Sequence, residues 1–217
     1  MKQVIKNVLN TLSLLVFFAG ALQAQNWPQW RGPDANGIAE PGNYPVKFSS
    51  TEGLLWKTEL PGKGGSTPVV WNDRIIITSG IGEGSEAEDG VLCYDWSGKL
   101  LWQVKLGKQN PGRHARGSGS NPSAVTDGER IFVFFKSSTA AALDFSGKVL
   151  WKTNLQDTYG EISYFWDLGS SPVLVNNLVV YTVMHEGPSY LVAFDKVTGK
   201  VVWKADRNYT SGRETPQ

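Results

Sequence analysis

Short apolar bursts, rich in β-branched and aromatic residues and separated by Gly, Asn, Asp and Ser, run from Leu54 to Trp203. Strands alternate their side chains between two faces, whereas an amphipathic helix needs apolar positions three and four residues apart. No stretch after residue 24 keeps the helical spacing. The first unit predicts strands over Pro68–Trp71, Arg74–Ser79, Gly90–Asp95 and Lys99–Leu106. A turn at Asn72-Asp73 joins the first pair and one at Ser97-Gly98 the last pair. Both return later, as Asp127-Gly128-Glu129 and Asn176-Asn177, and as Ser146-Gly147 and Thr198-Gly199. All are tight hairpin connections.

The pattern is a repeat. Trp56, Trp102, Trp151 and Trp203 recur about every 50 residues, each followed by Lys or Gln. The last three close a shared segment: Cys93-Tyr94-Asp95-Trp96-Ser97-Gly98-Lys99-Leu100-Leu101-Trp102, then Ala142 to Trp151, then Ala193 to Trp203, the third copy carrying an extra turn residue. A second signature opens each unit, as Gly65-Ser66-Thr67-Pro68, Gly119-Ser120-Asn121-Pro122 and Gly169-Ser170-Ser171-Pro172. An all-β chain of repeated four-stranded antiparallel units describes a β-propeller, each unit one blade. The residue types explain themselves mechanically. Asp95, Asp144 and Asp195 can bond the turn backbone just downstream, and Gly98, Gly147 and Gly199 supply positive φ. The tryptophans are expected in the seams between blades, each indole N–H finding a carbonyl. Ile75, Ile77, Phe132, Phe134, Val179 and Tyr181 are expected on sheet faces between blades.

The ends read differently. Lys2 and Lys6 precede an apolar run from Leu12 to Leu22 and then Gln23-Ala24, the layout of a secretory signal peptide cleaved after Ala24. The alternative, a membrane anchor, needs about 20 apolar residues. No cysteine follows the run to carry a lipid, so a secreted or periplasmic protein with no membrane span after cleavage is expected. The chain then divides into a signal peptide (1–24), an N-terminal extension (25–53), a lone strand carrying Trp56 (54–62), blades at 63–106, 107–155 and 156–206, and the start of a fourth (207–217). A ring of seven or eight such blades needs about 350–400 residues. The expectation is therefore the N-terminal half of a longer ring, with the Trp56 strand closing its last blade. A half-ring completed by self-association is the alternative.

Composition narrows the function. Of 217 residues, 21 are Lys or Arg and 20 are Asp or Glu, without a basic cluster, so a nucleic-acid surface is not expected. The single cysteine, Cys93, excludes an internal disulfide. The Gly, Pro and Trp content fits turns, strand openings and seams. Binding residues concentrate on loops held by a rigid scaffold, and the long loops all belong to one face. There the connection Gly107–Ser118 is basic (Lys108, Arg113, His114, Arg116), and Gln156–Leu168 is aromatic (Tyr159, Tyr164, Phe165, Trp166) with Asp167. Within blades lie the acidic loop Gly82–Gly90 and the short His185-Glu186-Gly187-Pro188. Arg113, His114 and Arg116 are candidates for an anionic ligand. Trp166 with Asp167 is a candidate pair for stacking and hydrogen-bonding a sugar or quinone, and His185 lies on the same face. The acidic loop lacks the spacing that wraps calcium, and the two histidines are too far apart in sequence to suggest zinc.

The Ala-x-Asp-x-x-x-Gly-Lys-x-x-Trp segment resembles the tryptophan-docking motif of the pyrroloquinoline-quinone (PQQ) type propellers, a family that includes quinoprotein dehydrogenases and the outer-membrane assembly factor BamB. The start Trp27-Pro28-Gln29-Trp30-Arg31-Gly32-Pro33-Asp34 resembles the opening of a secreted bacterial group of that family. Neither the Trp-Asp strand ends of WD40 repeats nor the paired glycines of kelch repeats recur. The resemblance implies two functions. One is a non-catalytic propeller, without cofactor, binding a protein or polysaccharide. The other is a PQQ-dependent dehydrogenase using calcium and an aspartate base. The disulfide between adjacent cysteines that covers PQQ in alcohol-oxidising members cannot form here. No catalytic residue is assigned.

Overall fold

The computed structural model describes residues 26–207 apart from 116, 165 and 188. The leader at 1–24, the stub from 208 onward and the candidate Arg116 lie outside the described residues. Three four-stranded antiparallel sheets follow one another along the chain. The first holds β1 (Val69–Trp71), β2 (Arg74–Ile81), β3 (Glu88–Tyr94) and β4 (Leu100–Lys108). The second holds β5 (Val125–Thr126), β6 (Arg130–Phe134), β7 (Thr139–Asp144) and β8 (Val149–Asn154). The third holds β9 (Val173–Val175), β10 (Leu178–Val183), β11 (Ser189–Asp195) and β12 (Val201–Arg207). Each sheet keeps sequence order, and β5 touches both β1 and β9, so the first strands share the inner edge of an open propeller.

The repeated segment has a repeated geometry. In each sheet the third strand meets the fourth with Trp opposite a small residue: Cys93 faces Trp102, Ala142 faces Trp151 and Ala193 faces Trp203. The register slips by a bulge immediately after that pair in all three sheets. A bulge strengthens local twist and re-aims the next side chain, which here starts the Asp turn. The Asp144 carboxylate accepts from Ser146 N at 2.8 Å, Ser146 Oγ at 2.6 Å and Lys148 N at 3.1 Å, and Asp95 does the same with Ser97 and Lys99. Asp195, in the longer copy, accepts from Val197 N, Thr198 N and Thr198 Oγ1. These bonds favour the ionised form and hold all three carboxyls below their ordinary value.

Two apolar clusters fill the seams. Ile76, Val91, Cys93, Ile131, Val133, Ala141 and Leu143 pack between the first and second sheets. Phe132, Phe134, Ala142, Val179, Tyr181, Val192 and Phe194 pack between the second and third. Burying one such Phe contributes about 1.5–3 kcal/mol. Phe132, Phe134, Val179 and Tyr181 thus lie between sheets, but Ile75 and Ile77 are only half-buried. Alternation along β2 aims them away from the second sheet, while Ile76 between them is fully enclosed.

The structure departs from the sequence reading in other places. Leu54–Leu60 is not a strand, because no described strand pairs with it. A short helix, α1 (Leu155–Tyr159), follows β8, started by the Asn154 side chain accepting from Gln156 N. Five residues are too few to show helical periodicity. β4 continues to Lys108, and β3 takes in Glu88 and Asp89, so the acidic loop is shorter than expected. The N-terminal extension is part of the body. Trp27 and Val70 exchange backbone bonds of 2.8 and 2.9 Å, and Thr126 N donates to Pro28 O at 2.9 Å, so residues 26–28 run along the inner edge of the first two sheets.

Candidate functional site

The alternation of strand direction puts the connections between sheets, and those from second to third strand within a sheet, at the same end of the blades. Backbone bonds tie them in pairs: Gln109 N donates to Ala87 O, Lys136 N to Gly119 O, and Glu186 N to Ser163 O. The face is therefore a continuous set of interlocked loops.

Its keystone is an ion pair with little exposure. Lys136, on the turn after β6, extends Nζ to Asp167 Oδ1 at 2.7 Å and to Pro111 O at 2.9 Å, and both charged side chains are less than a tenth exposed. Asp167 also accepts from Arg113 N at 2.7 Å and His114 N at 3.2 Å. Burial by itself would raise the Asp167 carboxyl. The Lys136 bond and charge, with the two backbone N–H groups, overcome that and hold it below its ordinary value. One residue from the 156–168 connection thus fixes the shape of the 109–118 connection through the second sheet's own turn. Gly117 is required at this point, because a Cβ there would stand 1.9 Å from Asp167 Oδ2.

Beside this clamp opens a cavity of about 630 Å3 between residues 60–63, the 82–87 loop and the 109–118 connection. Lys63, Glu83, Gln109, His114 and Ser118 supply its polar chemistry, and glycines form much of the remaining wall. Behind it, Asp89 is fully buried and accepts from Ser137 Oγ, which also bonds Thr139 Oγ1 at 2.9 Å. Burial pushes the Asp89 carboxyl up to about 7, against the pull of hydrogen bonds from Ser137 and Gln109.

Of the candidates read from sequence, Arg113, His114 and Asp167 come together, although Asp167 holds the backbone of the other two rather than a ligand. Trp166 is exposed beside it. His185 is buried in the third sheet's own loop. Its Nδ1 accepts from Ser163 N at 3.3 Å and Gly187 N at 3.1 Å, and its ring packs edge-on to Tyr164. Lys63 and Lys136 escaped the sequence reading, and Asp89, read there as part of the acidic loop, is a buried strand residue. Lys136 follows a run of five apolar residues, Ile131 to Phe135, and carried no signal apart from being a charge at the end of such a run.

The docking residues occupy a separate place. Trp102 donates from Nε1 to Phe145 O at 3.0 Å and Trp151 to Lys196 O at 3.1 Å, each in the following sheet. Trp56 makes the same bond to Trp96 O at 2.7 Å. Each ring lies on the turn glycine of the sheet it reaches, with an added Cβ on Gly98, Gly147 or Gly199 falling 2.6–2.9 Å from the indole. Trp151 also stacks on Phe194 at 5.9 Å. Trp203, with no described sheet beyond it, is 39% exposed.

Among the described residues no three His, Cys, Asp or Glu side chains converge on a point that could hold an ion. Cys93 is buried, with its thiol pushed up to about 11 by burial. Nor is any described helix long and apolar enough to cross a membrane.

Comparison with known proteins brings the architecture into focus. A family model of the PQQ-like type, described as outer membrane protein assembly factor BamB, matches residues 44–215. No curated protein matches the sequence. Among solved structures, a europium-containing methanol dehydrogenase aligns with a TM-score of 0.61 at 21% identity, over 84% of this chain and 32% of its own. The quinohemoprotein alcohol dehydrogenase from Comamonas testosteroni aligns with a TM-score of 0.61 at 17% identity, over 87% and 28%. BamB from Moraxella catarrhalis aligns with a TM-score of 0.48 at 16% identity, over 74% and 41%. The chain therefore spans about a third of the dehydrogenases it resembles, and at these identities the likeness is one of fold.

Proposed function

Because the chain belongs to the PQQ-like propeller family of the outer membrane protein assembly factor BamB, we propose that it is a non-catalytic binding module working outside the cytoplasm, with a protein or polysaccharide ligand seated on its long-loop face. The observation that carries this reading is the Lys136–Asp167 clamp. Isolating two charges from water is costly unless both are fully paired, and the sheets already dock through their tryptophans without it. What the clamp adds is a fixed shape for the 109–118 connection, and hence a pre-organised wall for the cavity lined by Lys63, Glu83 and His114. Pre-organisation lowers the ordering cost that binding must overcome.

The test is retention of envelope proteins and soluble polysaccharides on the immobilised mature chain, compared with the Lys63→Ala/His114→Ala pair. Retention that disappears in the pair, with the melting temperature unchanged, supports the site. Retention undiminished in the pair moves binding off this cavity.

A further inference from the structure

A second cavity, of about 610 Å3, lies where the N-terminal segment crosses the inner edge of the sheets, and it shares no lining residue with the first. Its volume is within the range of about 300–1,000 Å3 typical of small-molecule sites. One wall is made by the strand openings with the end of β10, where Thr67, Asn121 and Ser171, and Thr182 from β10, contribute hydroxyl and amide groups. Ser171 Oγ already accepts from Ser123 N at 3.0 Å, which directs the hydroxyl to donate elsewhere. The facing wall is Trp30 and Arg31.

That second wall is rigid. Gly32 N donates to Gln29 O at 3.0 Å, Gly37 N to Arg31 O at 2.8 Å and Arg31 Nη2 to Asn36 O at 3.0 Å, so residues 29–37 form a loop bonded to itself. It is anchored by the Trp27 ring, which packs so closely on Gly32 that a Cβ there would lie 2.8 Å away. Arg31 is held at φ 70°, a left-handed conformation uncommon for a residue with a side chain and concentrated at functional positions. The loop leaves the Trp30 indole 54% exposed, with the Arg31 guanidinium 5.7 Å from its ring.

Charge selects the ligand class. Among the described residues Arg31 is the sole charged one lining the cavity, and no carboxylate of theirs lines it. A guanidinium has five donors, one of them used on Asn36, and its planar fork matches a carboxylate. An indole face offers a flat apolar surface for the C–H face of a sugar ring, and the opposite hydroxyl and amide groups match ring hydroxyls. We propose that this cavity is a binding site for a carboxylate-bearing pyranose, the unit of an acidic polysaccharide, with Trp30 stacking on the ring and Arg31 pairing with the carboxylate.

The experiment is calorimetric titration of the mature full chain with oligogalacturonate, with a neutral malto-oligosaccharide of equal length, and with an acidic peptide. Oligogalacturonate is expected to bind more tightly than its neutral counterpart by roughly tenfold to a hundredfold, the worth of a charged hydrogen bond. Arg31→Gln should abolish that preference, and Trp30→Ala should remove binding of both sugars. Lys148→Ala, at an exposed residue that lines neither cavity, should leave the titration unchanged. Trp30→Phe keeps an aromatic face and should retain binding, which separates loss of stacking from loss of folding. Absence of heat with oligogalacturonate, affinity untouched by Arg31→Gln, or tighter binding of the peptide than of either sugar each overturns the assignment.

Discussion

Gly147→Ala probes the seam between the first two sheets with a single methyl group. That methyl would lie 2.9 Å from Cδ2 of Trp102, on a residue held at φ 88°. Two costs combine. Holding an L residue in a left-handed conformation costs about 1–2 kcal/mol. Moving the indole to make room weakens its bond to Phe145 O, worth about 1 kcal/mol, along with its packing against the seam cluster. The expected loss of stability is about 2–4 kcal/mol, most of it in the seam. Gly84→Ala is the control, since Gly84 has φ 58° and nothing within 4 Å of an added Cβ, leaving the backbone cost of about 1 kcal/mol alone. Urea denaturation followed by far-UV circular dichroism gives both values, provided the slope with denaturant is unchanged. In a Trp102→Ala background the ring is gone, and Gly147→Ala should fall to the cost seen at Gly84. Equal losses for the two glycines in the wild-type chain, or additive losses in the double variant, would refute the account of Trp102 as a joint seated on Gly147.

Two further outcomes follow from buried charge. Lys136→Met leaves Asp167 enclosed with only backbone N–H groups to stabilise it, so a loss of about 3–5 kcal/mol is expected, partly recovered by adding Asp167→Asn; urea midpoints measure it, and faster tryptic cleavage after Arg113 reports the released loop. Asp89 sets a pH dependence of definite sign. With its carboxyl raised from 3.8 to about 7, the folded chain keeps a proton that the unfolded chain releases, so stability falls as pH rises through that window and levels off above it. Asp89→Asn should flatten this slope, seen in urea midpoints measured across the window, and parallel curves for the two proteins would refute the assignment. Asp167, lowered in the fold, acts with the opposite sign at lower pH, where stability is lost as pH falls through its folded value.

The repeat made the fold legible. Position in the repeat told which residue turns the chain, which is small and which docks, because each blade must meet the same physical demands at its turn and its seam. The segment around Trp56 was legible in a different way: the Trp was right for a seam, but a strand needs a ladder partner, and none of the described strands supplies one to Leu54–Leu60. The sites were legible only in part. Loop composition pointed to Arg113, His114 and Asp167 without revealing that Asp167 is a brace for the others' backbone. That role depends on Lys136, which reaches it from another blade, 31 residues away in sequence. His185 read as a surface histidine, yet two backbone N–H groups from separate loop segments claim its Nδ1.

This division has a physical origin. A residue that recurs in every blade answers a need that recurs in every blade, which is packing. Whatever distinguishes this propeller from another must come from residues that break the repeat, and those are Lys136 with Asp167, Asp89, and Trp30 with Arg31. Each lies near a cavity whose walls come from different blades or from the N-terminal segment, so each is encoded by contacts between distant stretches rather than by local spacing. The two sets are also separable by experiment. Seam variants such as Gly147→Ala should lower stability and leave ligand affinity intact once the chain is folded, whereas Arg31→Gln should alter affinity while leaving the unfolding free energy from urea titration within about 0.5 kcal/mol of the wild type, as surface substitutions usually do.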